Sequence, residues 1–434
     1  MIIKDKKMFR FIFIPGAIVF ILSLSAFIYA SPWENDLELA KIFEKALSYE
    51  VWKYWSQYYL MAGNMDLSVL FLLLGSILLQ THFQYMRIKK PASWYSNQHW
   101  LTKSIIIFAG TAWLSAWAYE LCTLFFVDNG IGLGNDIEIF DSIKYKIVGK
   151  LVASSYELPF LFFIMFYMIV RFPKRKDIFE QEYWIDAIKG LMFVFLNYFI
   201  IVFLKVLFGR PYYYNIFFGD FYSKFSEDWK QSYLNSGLRF GSFDELTNGY
   251  TSNINGEWPW WKVNAFFLRD NNSFAGRSFF DYAFPSGHVV SAFTNGTFIY
   301  LLVGKNKKRK LSNYKIILMY IITLHAISMN FATVVMRGHY ITDTSFSICL
   351  CLVSIPIINR LVDKNVWKFV NKSRMKRQLE NEGLFINKGQ NIMFYVINNN
   401  RNNYISTFKA SNEHKKEILI KKYSITESKI KKNN

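Results

Sequence analysis

Pro285-Ser286-Gly287-His288-Val289-Val290-Ser291-Ala292-Phe293 carries a polar turn straight into an apolar run that continues to Val303. No Lys, Arg, Asp or Glu interrupts residues 286–303. A segment of that length and composition reads as a membrane-spanning helix with a histidine at its mouth. The free backbone N–H groups and dipole of a helix N-terminus favour an anion. Gly287 would let an anion approach the backbone, Ser286 adds a hydroxyl donor, and His288 sits at the depth where it can donate a proton. The plainer reading is an N-capped helix whose histidine is incidental.

Working outward, the same kind of apolar run recurs. The chain has 434 residues, of which 52% are apolar, 19% aromatic and only 19% charged. This composition suits a polytopic membrane protein rather than a soluble globule. Windows of about 20 residues give candidate spans near 11–30, 67–85, 104–127, 151–170, 187–208, 286–303, 316–336 and 344–361. The expected fold is all-α, a polytopic membrane helix bundle of about eight transmembrane helices. Residues 31–66, with Trp33, Trp52, Trp55, Tyr58 and Tyr59, read as an amphipathic interfacial segment. The first span follows a short basic start and reads as a retained anchor.

Charge orients these spans. Arg87, Lys89, Lys90 and Lys103 lie in 86–103 with no acid, and 304–315 holds six basic residues and none acidic. By contrast, 31–66 holds six acids against three lysines. Basic short loops stay cytoplasmic. Both termini are therefore expected inside, and the mouth at His288 outside. The expected setting is a bacterial inner (plasma) membrane with the site on the periplasmic, outer face. The net charge of +19 does not point to nucleic acid, because residues 361–434 hold sixteen Lys/Arg against six Asp/Glu. A basic tail beside anionic lipid explains it. Cys122, Cys349 and Cys351 fall inside spans and suggest neither disulfides nor zinc.

Two further motifs share the outer face. Lys205-Val206-Leu207-Phe208-Gly209-Arg210-Pro211 closes one span, and Arg337-Gly338-His339-Tyr340-Ile341-Thr342-Asp343 precedes another. Four residues apart, His339 and Asp343 share a helical face if the last span begins here. A carboxylate on one imidazole nitrogen fixes the tautomer and raises the basicity of the other. His339 then reads as a nucleophile, and Lys205, Arg210 and Arg337 as counter-charges for a phosphate. Read singly, Lys205 and Arg210 also suit interfacial snorkelling. Glu120 and Glu157 lie within spans, as functional acids or as structural partners of a Tyr, Ser or Lys.

Lys205 to Arg210, then Pro285-Ser286-Gly287-His288, then His339-x-x-x-Asp343 resembles the type 2 phosphatidic acid phosphatase superfamily in order and position. The resemblance covers about 205–343. It implies a six-span phosphatase core, no cofactor, no metal, and an outward-facing site for a membrane lipid phosphate. The implied catalytic residues are His339, His288 and Asp343, and the implied phosphate ligands Lys205, Ser286 and Gly287, with Arg210 and Arg337 added from their place beside the motifs. On this basis 1–103 is a two-span extension, 104–361 the core and 362–434 a basic cytoplasmic tail. The family's two arginines fall at Tyr212 and Thr333 here, and Arg337 takes a place usually held by glycine. Arg210 and Arg337 are expected to replace them, with Arg269 and Arg277 as further candidates.

The expected function is a lipid phosphatase working through phosphohistidine on an outer-leaflet phosphate or diphosphate. Alternatives are a phosphotransferase on the same site, a metal site built from His288, His339 and Asp343, and an inactive scaffold or transporter. The expected partners are the bilayer and its lipid phosphate, with no nucleic acid. Protein partners are left open.

Overall fold

The computed structural model describes residues 6–89, 92, 94, 98–126, 144–175, 177–178, 181–263, 282–303, 309–371, 408–410 and 430–432. The longer helices are α1 (Ile14–Ala30), α2 (Trp33–Glu44), α3 (Glu50–Lys89), α4 (His99–Phe126), α5 (Lys144–Phe166), α6 (Tyr183–Phe208) and α7 (Glu227–Asn235). They continue with α8 (Gly287–Thr294), α9 (Phe298–Val303), α10 (Asn313–Val335) and α11 (Ile341–Asn371). A hairpin of β1 (Ser242–Asp244) and β2 (Gly249–Ser252) and a parallel pair, Phe408–Ala410 with Ile430–Lys432, are the strands among the described residues.

The chain is an all-α integral membrane bundle. Seven helices among the described residues are long and apolar enough to cross a membrane. The eighth expected span, Gly287–Val303, is shorter than these, and a 3₁₀ turn at Asn295–Thr297 interrupts its α-helix. Its Asn-Gly-Thr sequence supplies poor helix formers in the middle of the run. The helices turn apolar side chains outward: Leu22 is 64% exposed, Phe108 76%, Phe199 71% and Leu324 65%. Such faces require lipid.

Helix α3 differs from the sequence expectation. It has 40 residues and takes in Trp52, Trp55, Tyr58 and Tyr59, which had read as part of an interfacial segment. Trp55 and Tyr59 are packed, not laid on a surface: Trp55 meets Tyr59 at 5.3 Å, and Tyr59 meets His325 of α10 at 5.3 Å, while Trp52 stays exposed. Only α2 remains a separate amphipathic helix. Tyr59 joins Phe193 and Ile201 of α6, Val289 and Phe293 of α8, Met329 of α10 and Ile348 of α11 in one buried core. The first two spans therefore pack onto the other helices, with α1 lying along α11.

Several charged groups inside the bundle are paired. Lys150, 1% exposed, reaches Glu120. Glu157 receives the Tyr156 hydroxyl. At the opposite end from the motifs, Lys189 bridges Asp186 and Asp363, and Arg309 joins Asp186. Residues 212–263 fold over the motif end around their own aromatic core, in which Tyr213, Tyr214, Phe218, Tyr233 and Phe240 are buried with Trp33 and Tyr340. Arg269 and Arg277 lie outside the described residues.

Candidate active site

Backbone hydrogen bonds stitch the three motif segments together. Helix α6 ends because Gly209 takes a left-handed conformation, φ 53°, and returns its N–H to the Lys205 carbonyl. The chain then runs extended, with the Ala283 N–H on the Arg210 carbonyl at 2.7 Å. The Ser286 N–H reaches the Asp343 carbonyl at 3.2 Å, and the Tyr214 N–H the Arg337 carbonyl at 3.1 Å. After α10, the Thr333 carbonyl accepts from both Gly338 and His339 N–H groups. That turn holds His339 just ahead of α11.

The two imidazoles face each other, His288 and His339, 6.4 Å between centroids. His339 is 2% exposed, and its Nδ1 lies 3.4 Å from Oδ2 of Asp343. The same carboxylate oxygen accepts the Tyr340 N–H at 2.9 Å. Burial holds the His339 pKa below the ordinary histidine value, against the opposing effect of Asp343. Lys205 is 5% exposed and donates to the Tyr282 carbonyl. Its ammonium lies 5.5 Å from the Tyr212 ring centroid. Ser286 accepts the Val289 N–H through its hydroxyl and so caps α8. A side-chain carbon built on Gly287 would meet nothing within 4 Å, so the backbone there borders open space. Lys205, Ser286, Gly287, His288, His339 and Asp343 thus converge as their spacing suggests.

The two arginines do not face that space. Arg210 is fully buried, and its Nη1 bonds Oδ1 of Asp343 at 2.6 Å and the Thr342 hydroxyl at 2.7 Å. Nη2 bonds Oδ2 of Asp36 at 2.8 Å, and Nε the Trp258 carbonyl at 2.8 Å. The guanidinium also lies 3.8 Å from the Tyr340 ring centroid. Burial disfavours its charge, but Asp343 and Asp36 outweigh this and hold its pKa above the ordinary value. The expected direct phosphate ligand is instead clamped on protein carboxylates, since a buried cation must be paired. Arg337 points away in the same manner. Its Nε bonds Oε2 of Glu44 at 2.7 Å, and its guanidinium covers Phe221 at 4.6 Å.

Tyr212 stands where the family has an arginine, and its ring packs on His339 at 5.3 Å. Thr333 is fully buried and bonds the Asn330 carbonyl. Sequence reasoning missed Asp36, Glu44 and Gly63. The Gly63 α-carbon faces His288, 3.2 Å from a built side-chain carbon to Cδ2. The only hint was an acid at Asp36 and another at Glu44 on one stripe of an amphipathic helix. Among the described residues, no group of three or more His, Cys, Asp or Glu side chains is arranged to hold a metal.

The profile of the PAP2 superfamily matches residues 187–367. The chain belongs to the type 2 phosphatidic acid phosphatase (PAP2) superfamily. An uncharacterized protein of Mycoplasma capricolum subsp. capricolum is 35% identical over 339 residues, covering 76% of this chain and 86% of its own length. No solved structure matches. The PAP2 match takes in α6, α8, α10 and α11, and with them Lys205, His288, His339 and Asp343. It leaves out α2 and α3, which bring Asp36, Glu44 and Gly63 to the PAP2 motifs. The likeness to the Mycoplasma protein, at 339 residues, is longer than the PAP2 match.

Proposed function

We propose that this protein removes a phosphate from an outer-leaflet lipid phosphate or diphosphate through a phosphohistidine on His339. The observation that carries the reading is the pair of imidazoles 6.4 Å apart, one held by a carboxylate and the other at a helix mouth. In this reading the basic loops face the cytoplasm and the motif end faces outward.

The His339 nitrogen opposite Asp343 attacks phosphorus, and the bond to the leaving lipid oxygen breaks. Asp343 holds the Nδ1 proton and balances the cation that develops on the ring. His288 gives the leaving oxygen a proton. Lys205 and the N–H groups that open α8 face the charge building on the equatorial oxygens. In the second half His288 takes a proton from water, which displaces His339 from phosphorus and releases inorganic phosphate. No cofactor or metal enters these steps. Arg210 acts one layer out, by orienting Asp343.

Purified protein in detergent, given total lipid extract, should release inorganic phosphate and form an acid-labile phosphoenzyme. His339→Ala should lose both. Phosphate release by His339→Ala at the wild-type rate would overturn the reading. Transfer of the phosphate to a lipid or sugar hydroxyl, with no free phosphate, would make the protein a transferase on the same histidine.

A further inference from the structure

Asp36 belongs to α2, outside the family match, yet it is 1% exposed and both its oxygens are engaged. Oδ1 accepts the Thr342 backbone N–H at 3.2 Å. Oδ2 accepts the Thr342 hydroxyl and Nη2 of Arg210. The first contact caps the N-terminus of α11, which a residue 306 positions away in sequence supplies. The second completes an unbroken chain of polar contacts, Asp36 to Arg210 to Asp343 to His339. A stripe at intervals of four residues carries the α2 side of this contact. Asp36 and Ala40 are buried, and Glu44, one further turn along, takes Arg337.

We propose that Asp36 is a positioning residue of the active site, fixing the Asp343 carboxylate against His339 through Arg210 and the first turn of α11. Amphipathic helix α2 is thereby a working part of the catalytic centre. The proposal rests on the reading of His339 as the nucleophile. Two routes lead from Asp36 to Asp343. One is ionic: burial raises the Asp36 pKa, the Arg210 charge and the Thr342 and Arg210 bonds oppose this, and removing the carboxylate leaves Asp343 to balance the guanidinium alone. The other is geometric: Thr342 adjoins Asp343, so loss of its cap loosens the turn that aims the carboxylate.

The consequence at His339 has a definite sign. Asp343 from α11, Lys205 from α6, His288 from α8 and Tyr212 face the ring, and none changes in an Asp36 variant. Removing a negative charge from the chain makes the surroundings of the ring more positive. Protonated His339 is then less stabilised, and its titration midpoint moves to lower pH.

The test uses the full-length protein in detergent with Asp36→Asn, which keeps the shape and removes the charge. Two quantities are read: phosphate release from lipid extract, and the His339 titration by nuclear magnetic resonance on ¹⁵N-histidine-labelled protein. The expected result is a kcat lower by roughly 10–100-fold, the range for losing an outer partner that orients a site ligand. KM should stay within about threefold, and the His339 midpoint should move down. Asp36→Glu restores the charge and should recover part of kcat and part of the midpoint. A folded Asp36→Asn protein with wild-type kcat and an unmoved His339 midpoint overturns the proposal. If Asp36→Asn does not fold, Asp36→Ser, which removes the charge and keeps a small capping acceptor, carries the test, and wild-type values of both quantities in that folded protein overturn it. Failure of the wild-type protein to release phosphate is the separate failure of the phosphatase reading. The histidine titration still decides the link from Asp36 to His339 in that case.

Discussion

Tyr212 meets His339 edge-on, 5.3 Å between ring centroids and 77° between planes. It also stacks on Tyr214 at 5.5 Å and lies under the Lys205 ammonium. The position at which the family carries a guanidinium is therefore filled by an aromatic wall. It braces His339 from the side and adds no positive charge.

The ring, not the hydroxyl, makes these contacts. Tyr212→Phe should keep kcat within about threefold, while Tyr212→Ala should lose roughly 10–100-fold by letting His339 swing away from its attack geometry. Steady-state rates of phosphate release check this. Equal losses in the two variants would assign the effect to the hydroxyl.

Two glycines border the site with opposite expectations. A methyl at Gly63 would lie 2.9 Å from Cε of Met329 and 3.2 Å from Cδ2 of His288. The methionine end can move aside, but the imidazole must give by tenths of an ångström. Gly63→Ala should lower kcat by roughly tenfold with KM little changed, because small misplacements of a reacting group are costly. A methyl at Gly287 enters open space and should not disturb folding. Gly287→Ala should instead raise KM by crowding the phosphate. Thermal unfolding and the split between kcat and KM separate the two cases.

Arg337 adopts φ 62°, a left-handed conformation that favours glycine. The family's glycine fits the turn without strain, whereas the arginine holds it through Glu44 and Phe221. Arg337→Ala keeps the strain and loses both contacts, so it should destabilise by about 1–3 kcal/mol. Arg337→Gly should be less damaging by about 1 kcal/mol. Neither should change kcat of the folded fraction by more than about threefold. A hundredfold loss of turnover in stable Arg337→Ala protein would return this arginine to the phosphate.

His339 must be neutral to attack, and burial first, with Lys205 acting the same way, keeps its pKa below the ordinary value of about 6.5. The acid limb of kcat/KM, which reports the free enzyme, should lie below that value. Stability carries the same sign. With the folded-state pKa depressed, the folded protein binds fewer protons than the unfolded chain. The His339 contribution is intact above the unfolded value of about 6.5 and is lost as pH falls from there through the lower folded-state pKa. A pH–rate profile and thermal unfolding between pH 5 and 8 measure both. An acid limb above pH 7 would contradict the buried, neutral ring.

The spans and the meeting of Lys205, Ser286, His288, His339 and Asp343 were legible because each signal is local. Hydropathy marks the helices, and each motif sits at a span end, so a bundle brings like ends together. Hydropathy misplaced the start of α3, since residues 50–62 are too polar to read as a span, yet Trp55 and Tyr59 pack against their neighbours in the bundle. The partners of the arginines were not legible. Asp36 and Arg210 are 174 residues apart, and Glu44 and Arg337 are 293 apart. An acid on an amphipathic helix looks the same in sequence whether it meets water or a buried guanidinium. Arg210 near a histidine motif read as a phosphate ligand because nothing local reveals that two carboxylates already claim it.

Those long-range partners bear on any attempt to shorten the protein. Trimmed to the residues that match the family, 187–367, the chain would keep both histidines and every motif. It would also strand Arg210 with one carboxylate instead of two, strip the distant cap from α11, and expose Tyr340 where Trp33 now covers it. A buried guanidinium deprived of a counter-ion costs about 3–5 kcal/mol, a large part of what holds a folded chain together. The shortest version of this protein that keeps these contacts must begin upstream of Trp33.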